Sequence, residues 1–170
     1  GLTDVGVASV ASPTAVESLP GNRVVVLEQD TGLVRLVDTV SGRLLDAPAA
    51  QLAVCAGGER GLLGFTHDPT FAASGRVYMF YTRSAPGSPG GCVNRVSAFV
   101  MSGDSIDVAT EQVLIDNISS VNGNHNGGDG ALGVRRVRLE HGEQLAEAHH
   151  LVDVEHVLLE HARDRRVHAG

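Results

Sequence analysis

Between residues 13 and 118 the chain is cut into short runs rich in Val, Ile, Leu, Tyr and Phe, each closed by a polar turn. That punctuation is the signature of consecutive β-strands. "TAVESL" (14–19), "RVVVLEQ" (23–29), "LVRLVDT" (33–39) and a weaker "RLLDA" (43–47) make a first set of four. The turns "DTG" at 30–32 and "SG" at 41–42 put Gly where a hairpin needs positive φ. In "LVRLVDT", Leu33, Arg35 and Val37 alternate with Val34, Leu36 and Asp38, so one face of a buried strand is partly polar. A second set follows: "GLLGFTHDP" (61–69), "RVYMFYTR" (76–83), "NRVSAFVM" (94–101) and "EQVLIDNI" (111–118). The expected fold class is all-β, as two four-stranded antiparallel meanders. Each set spans about 45–55 residues, close to the period of a propeller blade. A two-sheet sandwich has the same strand count, and turn chemistry leaves both architectures open.

Composition narrows the partners. With 42% apolar residues and a net charge of −7, a soluble globular protein is expected. The acidic balance and the lack of a basic stripe argue against nucleic acid. No apolar run approaches the roughly 18–20 residues of a membrane-spanning helix. Nor is there a charged segment followed by an apolar one of signal-peptide type, so any such peptide is expected to have been removed or left out. All 13 basic residues are Arg, which reads as the mark of a GC-rich genome rather than of function.

Cys55 and Cys92 allow a single pairing. In a reducing compartment they would be two small buried apolar residues or a stray metal pair. In a secreted protein a bridge would close a loop of about 38 residues, for about 4 kcal/mol of stabilisation at most. Both lie in Gly-rich loop sequence, "VCAGGE" and "PGGCVN", which favours the disulfide without proving it.

From about Gly130 the style of the sequence changes. Six of the eight His and six of the 13 Arg lie beyond that point, and aromatic residues disappear. "LVDVEHVLLEHARDRR" has apolar residues at 151, 154 and 158 and would pass as a helix. On such a helix His149, Asp153, His156 and Glu160 would share a face at a spacing able to hold zinc. The abundance of His and Glu in this tail accounts for the pattern without a metal. "NIS" at 117–119 matches a glycosylation sequon that is common by chance.

Three stretches carry a family resemblance: "ERGLLGFTHDPTFAASGRVYMFYT" (59–82), "CVNRVSAFVM" (92–101) and "VLIDNISSVNGNHNGGD" (113–129). With the opening "ASPTAVESLPGNRVVVLEQDTGLVRLVD", they resemble the N-terminal third of the soluble quinoprotein glucose/sorbosone dehydrogenases. The resemblance implies a six-bladed β-propeller that uses pyrroloquinoline quinone (PQQ) with calcium to oxidise aldoses at C1. Residues 1–129 would then supply about two blades, and residues 130–170 a divergent, helix-like tail. Two departures stand out. The family reads aromatic-His-Pro-Asp-Phe where this chain has Thr66-His67-Asp68-Pro69-Thr70-Phe71. After "HNGGD" the family continues into "FGPDGxLYV", whereas this chain reads "GALGVRRVRLEHGEQ". That junction is expected to mark a frame shift or truncation of a longer gene, with the chain inactive by itself.

For the site, the resemblance implies that His125 is the catalytic base, since a neutral imidazole suits removal of the hydroxyl proton as hydride leaves. From the residues alone, His125 and its Asn neighbours could instead simply hold a turn. Glu59, Asn126 and Asp129 are the expected cofactor contacts, Asp129 orienting His125 or capping the turn. Gly127 and Gly128 would let backbone approach a flat cofactor. Beside Arg60, Glu59 could also be one half of a solvated ion pair. His67, Asn94 and Arg95 read as packing residues. The resemblance assigns no metal ligand to this chain, and most contacts to PQQ and calcium would lie outside it. A sugar is the expected substrate, and a periplasmic or extracellular location is implied. The alternatives are a non-catalytic propeller that binds carbohydrate or protein, or an inactive truncated product.

Overall fold

The computed structural model describes Thr3 and residues 6–127. The tail beyond Gly127, with the expected boundary at residue 129 and the helix-borne His and acid cluster, lies outside the described residues. The first meander runs β1 (Pro13–Leu19), β2 (Arg23–Glu28) and β3 (Leu33–Asp38), then two short pieces, β4 (Arg43–Leu44) and β5 (Ala50–Gln51). All pairings are antiparallel, with Val25 opposite Leu36 and Leu27 opposite Val34. The second meander runs β6 (Leu62–His67), β7 (Arg76–Ser84), β8 (Cys92–Ser102) and β9 (Ser105–Ser119), in that spatial order. A four-residue helix, α1 (Phe71–Ser74), sits in the β6–β7 connection.

Two elements differ from expectation. The fourth strand of the first sheet is not one run at 43–47 but two fragments laid along opposite ends of β3. Pro48 lacks an N–H and interrupts the ladder. The amides of Leu45 and Ala49 still donate to Leu36 O and Val34 O, both at 2.8 Å, so the excursion stays tied to the sheet. The last strand is longer than expected, beginning at Ser105, and its pairing with β8 shifts register three times. Such bulges strengthen twist and let a long strand curl with its sheet.

Strands of each sheet are consecutive in sequence and none crosses to the other sheet. A sandwich would normally need a Greek-key crossover; successive closed meanders are the arrangement of propeller blades. The sheets meet through their first strands. Thr14 Oγ1 donates to Leu62 O at 2.8 Å, and the Leu62 amide donates to Gln29 O at 3.0 Å. Between them lies the core: Leu27, Val34 and Leu36 face Leu62, Val77 and Met79, all at most 1% exposed. The alternation read in β3 follows, with Val34 and Leu36 facing this core and Arg35 part-buried on the other side.

The far edge of the second sheet is held by charge. Asp116 of β9 accepts paired hydrogen bonds from Arg95 (3.1 and 2.7 Å) and from Arg83 (3.0 and 2.9 Å). Glu111 accepts from Ser97 Oγ at 2.7 Å, from Arg95 at 3.3 Å and from the Tyr81 hydroxyl. The bonds from Arg95, then Arg83, hold the Asp116 carboxyl well below the usual carboxylate range. For Glu111, burial pushes upward, but the Tyr81, Ser97 and Arg95 contacts outweigh it and leave its carboxyl lowered.

Two outcomes are expected. Leu62→Ala should lower the urea-unfolding free energy by about 2–5 kcal/mol, while Val40→Ala, at a position 78% exposed, should stay within about 0.5 kcal/mol. A lowered native pKa means that Asp116 stabilises the fold at neutral pH and that this contribution fades as pH falls below about 4. Comparing unfolding midpoints at pH 7 and pH 3 should show a smaller acid loss in Asp116→Asn than in wild type; an equal loss would refute the assignment.

Candidate active site

Strand β9 ends at Ser119 and leads straight into the loop 120–127, the "SVNGNHNG" of the His-bearing motif. A second loop, 52–61, runs beside it and enters β6. The Glu59 amide donates to Gly123 O at 2.7 Å. At Gly58, with φ +63°, an added Cβ would lie 2.3 Å from Gly123 O, so the approach of the two backbones requires glycine. Gly61 is constrained likewise by Gln29 O, 2.2 Å from where its Cβ would be. Gln29 completes the joint by donating from Nε2 to the carbonyls of Gly58 and Arg60, both at 3.2 Å.

Arg60 anchors the start of the His-bearing loop. Its Nε donates to Ser120 Oγ at 2.9 Å, and Nη2 donates to Ser120 O and, at 3.1 Å, to Val121 O. A solvated ion pair between Glu59 and Arg60 is therefore not what forms. Arg60 is committed to carbonyls, and Glu59 Oε2 accepts the Asn126 amide at 3.3 Å. Cys55 and Cys92 are joined as a disulfide with their Cα atoms 6.3 Å apart, within the range such bridges need. It ties the 52–61 loop to the start of β8, and the Cys55 amide also donates to Thr82 O at 2.8 Å.

Asn126 anchors the other end. Its side chain is turned inward and the residue is 2% exposed. Oδ1 accepts from Asn94 Nδ2 at 3.1 Å, while Nδ2 donates to Asn122 O at 2.9 Å and Asn124 O at 3.1 Å. Asn126, an expected cofactor contact, has its side-chain amide engaged on both sides by protein groups. Behind it, Asn94 Oδ1 accepts from Thr82 Oγ1 at 2.6 Å, and Thr82 Oγ1 accepts the Gly61 amide at 3.3 Å. Asn94 reads as packing from sequence, and Thr82 carries no signal at all. Only the pairing of Thr82 with Asn94 across β7 and β8 brings them under the loop.

His125 stands exposed on this braced loop with φ +60°, in the left-handed region. For an L-residue other than Gly that conformation costs about 1–2 kcal/mol, and it persists where neighbours over-determine it. Asn126 and Asn124, through the bonds above, supply that restraint. Beside the loop an open cavity of about 530 Å³ is lined by residues 14–16 of β1, Gln29, Glu59, Leu63 and Gly127. Nothing lies within 4 Å of where a Cβ would stand on Gly127. Val16 and Leu63 make the lining partly apolar, and Glu59 is its one ionisable group among the described residues. Asp129 and Gly128 lie outside the described residues. His67 packs edge-on against Phe71, ring centroids 5.7 Å apart, and does not line the cavity. Among the described residues no group of three or more His, Cys, Asp or Glu is placed to hold a metal, and no helix is long and apolar enough to cross a membrane.

Against known proteins, the family model for glucose / sorbosone dehydrogenase matches residues 10–156, running past the change of style at Gly130. Among solved structures, an oxidoreductase (glucose dehydrogenase) from Thermus thermophilus is 32% identical with a TM-score of 0.57, over 69% of this chain and 33% of its own. The soluble aldose sugar dehydrogenase of Escherichia coli, in its apo-form, is 25% identical with a TM-score of 0.54, over 65% and 32%. The PQQ-bound form of aldose sugar dehydrogenase from Streptomyces coelicolor shares the fold at 24% identity and a TM-score of 0.52, over 64% and 31%. This chain thus spans about a third of the length of each. No individually curated protein matches significantly. The fold is that of β-propeller sugar dehydrogenases. By the extent of its match, this chain belongs to the glucose/sorbosone dehydrogenase family.

Proposed function

We propose that this chain carries the base and part of the cofactor wall of an aldose dehydrogenase that oxidises a sugar hemiacetal at C1. The observation that supports it most is His125, exposed in a left-handed conformation on a loop that a satisfied, buried network holds and whose Gly127 lines the open cavity. Ser12, Asn22 and Asn117 share the positive φ, and of these four residues only His125 carries an imidazole, which can act as a base.

A planar tricyclic quinone fits the cavity in part. The apolar lining at Val16 and Leu63 and the open approach at Gly127 suit a flat ring. Glu59 reaches the cavity with a carboxylate that already accepts the Asn126 amide, so it can take a further hydrogen bond but cannot neutralise an acid group. No cation among the described residues lines the cavity, so the quinone's carboxylates would be met by other residues, and calcium is assigned no ligand among the described ones. PQQ, when bound, would supply the two-electron acceptor for the hydride. His125, as neutral imidazole, takes the C1 hydroxyl proton while the C1 hydrogen leaves with its electron pair, so the sugar becomes the lactone. Gly127 leaves the approach to the cavity open. A periplasmic or extracellular location suits the Cys55–Cys92 disulfide.

The test is sugar-dependent dye reduction by the full gene product reconstituted with PQQ and Ca²⁺. His125→Ala should lower the rate by about 10²–10⁴-fold while the PQQ absorption band persists. An undiminished rate would sink the assignment, and sugar binding without turnover in wild type would favour a carbohydrate-binding module.

A further inference from the structure

We propose that Thr82 and Asn94 are positioning residues for His125, acting through Asn126 to fix the loop that presents the imidazole. Neither touches the cavity. Both are buried, at 0% and 3% exposure, and together they form a continuous line from the Gly61 amide to Thr82, to Asn94 and to Asn126. Each link has a set direction. Asn122 O and Asn124 O can only accept, so they take both Asn126 amide protons and Asn126 Oδ1 faces Asn94 Nδ2. Asn94 Oδ1 is then turned to Thr82, whose one proton goes to it while Oγ1 also accepts the Gly61 amide.

Asn94 Nδ2 thus caps the Asn126 side chain from below, while the two amide protons of Asn126 stay on the carbonyls of Asn122 and Asn124. The carbonyl of Asn124 belongs to the peptide that enters His125. A bond there, with the Asn126 amide held by Glu59 on the other side, restrains both peptides flanking His125. The left-handed φ of His125 is thus set by residues of β7 and β8 more than 30 positions earlier in the chain. Buried polar chains of this kind are either fully satisfied and rigid or costly, because an unpaired member has no water to turn to. Removing the Thr82 hydroxyl leaves Asn94 Oδ1 buried without its donor, which loosens the support that Asn94 gives to Asn126.

This inference rests on the reading of His125 as the base, and its test separates the two. In the isotope-labelled full gene product, hydrogen exchange at the Asn126 amide and the ring signals of His125 are followed by NMR. Thr82→Val, which keeps the shape and loses the hydroxyl, should speed Asn126 exchange at least about tenfold and shift the His125 ring signals. Core amides such as Val77 should stay within about twofold. Thr82→Ser should restore both, since a purely volumetric role would favour Val over Ser. An unshifted His125 in Thr82→Val, or loss of protection spread evenly through the sheet, would overturn the proposal. So would an unprotected Asn126 amide in wild type, a measurement that needs no variant to fold. His125 signals unmoved by adding PQQ to the wild-type protein would instead overturn the base reading, whatever the relay does.

Discussion

Everything in this structure hangs on the dry contact between the two sheets. Leu27, Val34 and Leu36 on one side and Leu62, Val77 and Met79 on the other are removed from water only because the sheets face each other. Each such side chain contributes about 1.5–3 kcal/mol when fully buried, whereas an isolated meander would expose one whole apolar face. The contact also fixes where β1 and β6 lie, and these strands carry the cavity: residues 14–16 form one wall and Leu63 another. Core packing and the position of the site are therefore one problem.

Around that core the polar groups do a different task. Three anchors hold the chain from the end of β9 to Gly127. Asp116 fixes the strand to Arg83 and Arg95, Arg60 takes the carbonyls of Ser120 and Val121, and Asn126 closes the loop on itself and on Asn94. Loops are ordinarily the mobile part of a fold. Here carbonyls that would face water in a free loop are given buried or part-buried donors, which offsets the strain at His125. The disulfide and the close passage of Gly58 over Gly123 hold the neighbouring loop that provides Arg60 and Glu59.

The strands and the His-bearing motif were legible in the sequence because their signals are local. Alternation in "LVRLVDT" and "RVYMFYTR" reports the two faces of a sheet within a few residues, and Gly at 32 and 42 marks the hairpins. The split of the fourth strand was also written locally, in Pro48, although a weak apolar run hid it. Arg60 misled because its neighbour Glu59 offered an obvious partner in sequence. Its real partners, Ser120 and Val121, are some 60 residues away and are largely backbone atoms, whose identity leaves no trace in residue type. The burial of Asn126 was not legible either, since a polar residue beside a candidate base carries no local mark of facing inward.

The sequence by itself determined the strand order, the turn positions, the pair of cysteines and the residue types available for chemistry, since each depends on short-range periodicity or on composition. Tertiary structure alone decided which polar atoms face the cavity and which face inward. It sent Glu59 to the cavity rim, drew Asn126 into the interior, and joined Thr82 and Asn94 to Asn126 by aligning β7 with β8. The physical reason is that a hydrogen bond needs its partners within about 3 Å, and only the packed sheets bring together groups that the chain keeps dozens of residues apart.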